Sequence, residues 1–110
     1  MKNVTEFFSS KSIIFKSFKD VDKTLLKTRK NIKIYSSTDI NKNYHSIFII
    51  DQKSRFLLKN AESLVILEER LQKLENHNFK YKHLIIGTNI CSKSVNYLKD
   101  KGWKLHHDFM

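Results

Sequence analysis

Proline is absent from this chain of 110 residues, and glycine occurs only at Gly87 and Gly102. Two glycines so far apart cannot build a Walker A loop or a dinucleotide-binding fingerprint, so phosphate capture by Gly-rich loops is excluded. Cys91 is the single cysteine. An intramolecular disulfide and a four-thiolate zinc site are thereby ruled out, and a reducing compartment is the natural setting. No run of about 18 apolar residues exists, so no membrane-spanning helix is predicted. The opening segment MKNVTEFFSSKSIIFKSF is interrupted by Ser9, Ser10, Lys11 and Ser12. No small-residue cleavage site follows it, as a signal peptide would require. The expectation is an unprocessed, cytoplasmic protein.

Acids are the other scarcity. Eleven Asp and Glu face 21 Lys and Arg, a net charge of +10 and a sequence pI near 9.8. Such an excess attracts polyanions, and nucleic acid is the first partner it suggests. An anionic membrane surface or an acidic protein carries the same sign. Apolar residues make up 40% of the chain and charged residues 29%, which places it among globular rather than disordered sequences. The length suits one domain, residues 1–110, with a modest core.

Hydrophobic periodicity divides the chain. Ile14, Phe18, Val21 and Leu25 are spaced 4, 3 and 4, which predicts a first helix. Its other faces carry Lys16, Lys19, Lys23, Lys27, Arg29 and Lys30, the candidate phosphate contacts. The bland reading of such a run is a solvated helix face. NIKIYSS reads as a short strand, and HSIFII as a central strand buried on both faces. RFLLK reads as its hairpin partner. Asn60 is the expected N-cap of a helix whose core face is Ala61, Leu64, Leu67, Leu71 and Leu74. KHLIIG is an apolar strand. A last helix opens near Ser92 with Val95 and Leu98 inward, and Gly102 is its C′ glycine. WKLHH is a half-buried final strand. The order is α-β-β-β-α-β-α-β, an α/β fold with a mixed β-sheet flanked by helices.

The chemistry centres on SIFIIDQKSRFLL, residues 46–58. Alternation along a strand sends Asp51 and Lys53 to one side. Asp39, in TDI, falls where the preceding strand ends, and a turn between the strands would bring it beside Asp51. Two carboxylates suit a hard cation such as Mg²⁺ or Mn²⁺, and an adjacent lysine suits a water attacking a phosphodiester. The plain alternative is that Asp51, Gln52, Lys53 and Ser54 turn a hairpin. Tyr35, Tyr44 and Tyr81 are candidates to stack on bases, or to pack. His106, His107 and Asp108 read as a polar chain end. His45, His77 and His83 lack ligand spacing, and Cys91 reads as a small packing residue.

Asp39, the Asp51-Gln52-Lys53 triplet closing an apolar strand, and the element order around them resemble the PD-(D/E)XK nuclease superfamily, the restriction-endonuclease-like fold. LIIGTNICSKSVNYLKDKGWKL is similar to the strand, helix and strand that close many of its members. The resemblance implies Asp39 and Asp51 as metal ligands and Lys53 as the catalytic lysine. It adds an acid from the first helix, Glu6 before Asp20 or Asp22. No proline precedes Asp39, and Asp stands at 51 where Glu is commoner. The implied function is a small Mg²⁺-dependent nuclease, or an inactive relative that binds nucleic acid. Against it stands a non-catalytic basic module that binds nucleic acid or serves as an adaptor for an acidic protein. A chain this small is expected to act as a homodimer or as a subunit of a larger complex.

Overall fold

The computed structural model describes residues 8, 14–21, 32–50, 55–87 and 89–106. Its elements are β1 (Phe15–Val21), β2 (Ile32–Asp39), β3 (Tyr44–Ile50), α1 (Leu58–Glu75), β4 (Tyr81–Ile86), α2 (Ser92–Asp100) and β5 (Trp103–His106). The five strands form one sheet in sequence order. The β1/β2 and β2/β3 pairs are antiparallel, while β3/β4 and β4/β5 are parallel. The helices α1 and α2 supply the long crossovers that parallel neighbours require.

β3 is the central strand, and its sequence shows why. Phe48 joins Ile32, Ile34, Leu84, Ile86 and Trp103 against Ala61, Leu64, Leu67, Leu71 and Leu98 of the two helices. Ile47 and Ile49 point the other way, with Ile85, Phe8, Phe15, Phe18 and Tyr35. A strand covered on both faces needs a continuous apolar run, not an alternating one. Each fully buried large side chain contributes about 1.5–3 kcal/mol.

Two expected elements take another form. The segment predicted as the first, basic helix is strand β1 over its described part. A β-bulge shifts the register between Phe15 and Ser17. One extra residue puts Phe15 and Phe18 on the same sheet face. Val21 pairs with Ile34 and belongs to the opposite face. Lys16 and Lys19 are therefore exposed on an edge strand, where lysines discourage edge-to-edge pairing. RFLLK is no hairpin partner: Phe56 makes an isolated parallel bridge with Ile90, and Leu58 already opens α1.

The caps differ in detail. Leu57 occupies the N-cap of α1, and Asn60 serves from the third position by accepting the Leu57 amide at 2.9 Å. Leu74 is 43% exposed and outside the core. Val95 is half-buried, while Leu98 is fully buried. Gly102 stands just past α2 at φ +85°, its amide donating to Lys99 O at 3.0 Å. A Cβ there would meet nothing within 4 Å. Gly102→Ala is thus expected to destabilise by about 1–2 kcal/mol through backbone conformation alone. Urea titration checks this, and an unchanged midpoint would contradict it. No helix among the described residues is long and apolar enough to cross a membrane.

Candidate functional site at the turn end of the sheet

Asp39 closes β2, and residues 40–43 turn the chain into β3. Its Oδ1 accepts the backbone amides of Asn41 and Asn43, both at 2.9 Å. Its Oδ2 accepts from His45 Nε2 at 2.8 Å. Burial opposes the charge, but the hydrogen bonds from His45, Asn43 and Asn41 outweigh it and hold the carboxyl below its usual range. Local sequence explains the arrangement: a carboxylate capturing amides two and four residues on is what tightens an Asx-type turn.

The strand register bears on the expected pairing of Asp39 with Asp51. In the β2/β3 ladder Thr38 pairs with Tyr44, and Ile32 pairs with Ile50. At a rise of about 3.3 Å per residue, the two ends of β2 lie roughly 23 Å apart. Asp51 follows Ile50 directly and itself lies outside the described residues, as do Lys53, Glu6, Lys23, Lys27, Arg29 and Lys30. The register therefore does not bring Asp39 to the end of β3 that precedes Asp51. The sequence reading expected a turn between the strands to bring Asp39 beside Asp51, but in an antiparallel pair that turn, residues 40–43, sets the end of β2 beside the start of β3. Lys19 is not a free cation either, since its Nζ lies 3.2 Å from Glu75 Oε1.

What Asp39 does meet is a line of histidines. His45 Nδ1 lies 2.9 Å from His83 Nε2, and His83 Nδ1 lies 3.1 Å from His106 Nε2. The three come from β3, β4 and β5 and share the sheet face opposite α1 and α2. All three are buried. His106 is accordingly not part of a frayed polar end. Phe8 sets its ring edgewise to His83 and His106, Phe15 sits edgewise to His45, and Tyr81 stacks on His45.

The proton order along this line follows from its end. An ionised Asp39 can only accept, so His45 donates from Nε2 and accepts at Nδ1. His83 must then donate from Nε2 and accept at Nδ1, and His106 donates from Nε2. Burial, reinforced by His45, His106 and Lys104, pushes His83 down to about 2. Burial also lowers His45, against the pull of Asp39. One hydrogen-bond direction along the line results.

The nitrogens of this line face one another in series, and among the described residues no three His, Cys, Asp or Glu side chains converge on one point. Asp39 directs its oxygens to His45 and to the two turn amides. Sequence reasoning missed the line because the histidines are 38 and 23 positions apart. The legible signal was one histidine set within each of three otherwise apolar or alternating strands.

Beside Asp39 and His45 opens a pocket of about 240 Å³, whose wall includes Ile14, Ile40, Asn41, Tyr81 and Lys104. Lys80 and Lys104 both bring Nζ over the Tyr81 ring, 5.5 and 5.1 Å from its centre.

No protein-family model matches the chain, and no curated protein does. Two solved structures resemble it. A repair endonuclease from Pyrococcus abyssi aligns with TM-score 0.52 at 12% identity, over 83% of this chain and 38% of that one. EndoMS in its apo form aligns with TM-score 0.54 at 15% identity, over 96% of this chain and 46% of its own. This chain thus spans less than half the length of either. At such identities the likeness concerns architecture, and with a mixed five-stranded sheet backed by two helices, this chain adopts the restriction-endonuclease-like α/β fold.

Proposed function

We propose that this chain is a single nucleic-acid-binding domain on a restriction-endonuclease-like fold, holding the phosphate backbone through its excess lysines. The observation that carries the reading is the fold it shares with two proteins named as endonucleases. A net charge of +10 supports it, because neutralising phosphates releases counterions and gives salt-dependent affinity.

A second reading, Mg²⁺-dependent phosphodiester hydrolysis, has its own support. β3 and β4 run parallel and finish together, Ile50 opposite Ile86. Carboxyl ends of parallel strands are where α/β sheets place their ligands. Asp51-Gln52-Lys53 follows Ile50 immediately in sequence. Ile50 pairs with Ile32, at the other end of β2 from Asp39, so this reading looks to another residue for a second carboxylate.

One experiment tests both. Fluorescence anisotropy with duplex and single-stranded oligonucleotides, across a salt series, should show binding that weakens linearly on logarithmic axes. Lys16→Gln should lower the slope by about one. Absence of binding at low salt overturns the proposal. Parallel incubation with Mg²⁺, Mn²⁺ or EDTA reads cleavage. Cutting that is lost in Asp51→Ala and Lys53→Ala, yet kept in Asp39→Asn, establishes the second reading. Intact substrate under every condition leaves a binding domain.

A further inference from the structure

The pocket at the β2–β3 turn has a composition that neither reading above uses. Its one carboxylate is already engaged: Asp39 holds two turn amides and His45. His45 has no ring nitrogen left, one facing Asp39 and the other His83. What remains available is of three kinds. The side-chain amides of Asn41 and Asn43 line the pocket and hydrogen-bond to nothing among the described residues. Each offers a donor and an acceptor, the pairing that reads the edge of a nucleobase.

The second kind is apolar. Ile14 and Ile40 line the same pocket at 54% and 59% exposure, held side by side by the Ile40 amide donating to Ile14 O at 3.1 Å. These are the most exposed large hydrophobics among the described residues. Flat aromatic ligands cover such walls well, and Tyr81 adds a ring to them. The third kind is cationic. Lys80 and Lys104 are exposed, each brings its Nζ within 5.5 Å of the centre of that ring, and neither pairs with a carboxylate among the described residues. Of the two, Lys104 lines the pocket itself, where its ammonium group can pair with a phosphate. At about 240 Å³ the pocket is smaller than the roughly 300–1,000 Å³ of drug-sized sites.

We propose that this pocket holds one nucleotide unit, its base between the isoleucines and the two asparagine amides and its phosphate on Lys104. The inference rests on the nucleic-acid reading and deepens it, by giving the chain a contact for an unpaired nucleotide at the sheet end remote from Ile50. The same chemistry is presented by a free mononucleotide and by an unpaired residue within a strand.

The test titrates four probes into the ¹⁵N-labelled protein: deoxyadenosine monophosphate, ribose 5-phosphate, a short single-stranded oligonucleotide and a blunt duplex. The monophosphate should shift the Asn41, Asn43 and Tyr81 signals, and ribose 5-phosphate should bind roughly tenfold more weakly for want of a base. Lys104→Gln and Asn41→Ala, both at exposed positions, should each weaken the monophosphate several-fold while thermal unfolding stays unchanged. An oligonucleotide that outcompetes the monophosphate marks a residue within a strand as the source. The reverse marks a free nucleotide. Equal binding of ribose 5-phosphate would overturn the proposal in favour of a bare anion site, as would no shift at these residues. Duplex binding with an unresponsive pocket sinks this inference alone. A responsive pocket without duplex or single-strand binding sinks the nucleic-acid reading instead.

Discussion

Lowering the pH from 7 to 4.5 is expected to destabilise this protein by about 3 kcal/mol through His83 alone, at about 1.4 kcal/mol per pH unit below the ordinary histidine value. His83 is fully buried, and burial first, then His45, His106 and Lys104, pushes it from 6.5 down to about 2. In the unfolded chain the same imidazole takes up a proton below about 6.5. The native state therefore binds fewer protons than the unfolded state between these values, so stability rises with pH and is lost on acidification. His45, also lowered, and Asp39, held below its usual range, act in the same direction. Urea melts at intervals from pH 8 to 4.5 read the slope. His83→Phe, whatever its own stability, should remove about one proton from it. A stability profile flat from pH 8 to 5 would show that His83 is not a buried neutral ring.

The second large effect concerns Asp39. Asp39→Ala strands the Asn41 and Asn43 amides and the His45 Nε2–H together. Losing a charged acceptor from a buried network costs about 2–4 kcal/mol. Asp39→Asn should cost less and do something more informative. Its oxygen keeps the turn amides while its NH₂ faces His45. Two donors cannot face each other, so His45 must accept at Nε2 and carry its proton on Nδ1. His83 and His106 lie on the same hydrogen-bonded line, so the order reverses through all three rings. Imidazole ¹⁵N spectra distinguish the tautomers directly. Wild type should show Nε2–H at His45 and His83, and Asp39→Asn should show Nδ1–H at both. Unchanged tautomers in the variant would mean that Asp39 does not set the direction.

These two predictions depend on contacts that the sequence hid, whereas much of the scaffold was in view. HSIFII and KHLIIG read as buried strands because a strand covered on both faces has no polar alternation to display. The core face of α1 from Ala61 to Leu71 and the glycine after α2 were equally direct, since a period of 3.6 and a positive φ leave marks within a few residues. β1 was misread for a local reason: Ile14, Phe18 and Val21 have a helix-like spacing, although Phe18 and Val21 pack on opposite faces of the sheet. RFLLK was misread because a pair of leucines serves a helix start as well as a strand. Asp39 was singled out, but its partner was not, because antiparallel pairing sets the end of β2 beside the start of β3, where His45 stands.

By itself, the sequence determined the polyanion-seeking charge, the exclusion of Gly-rich nucleotide loops and disulfides, and the α/β class with its doubly covered central strand. All of these follow from composition or from periodicities within one element. Only the tertiary structure decided that Asp39 ends at the turn rather than beside the end of β3. It alone decided that His45, His83 and His106 align across three strands, and that Asn41, Tyr81 and Lys104 share a pocket. Each of those depends on strand register and order, which are set by the packing of the whole sheet. A one-residue shift in register would exchange every face.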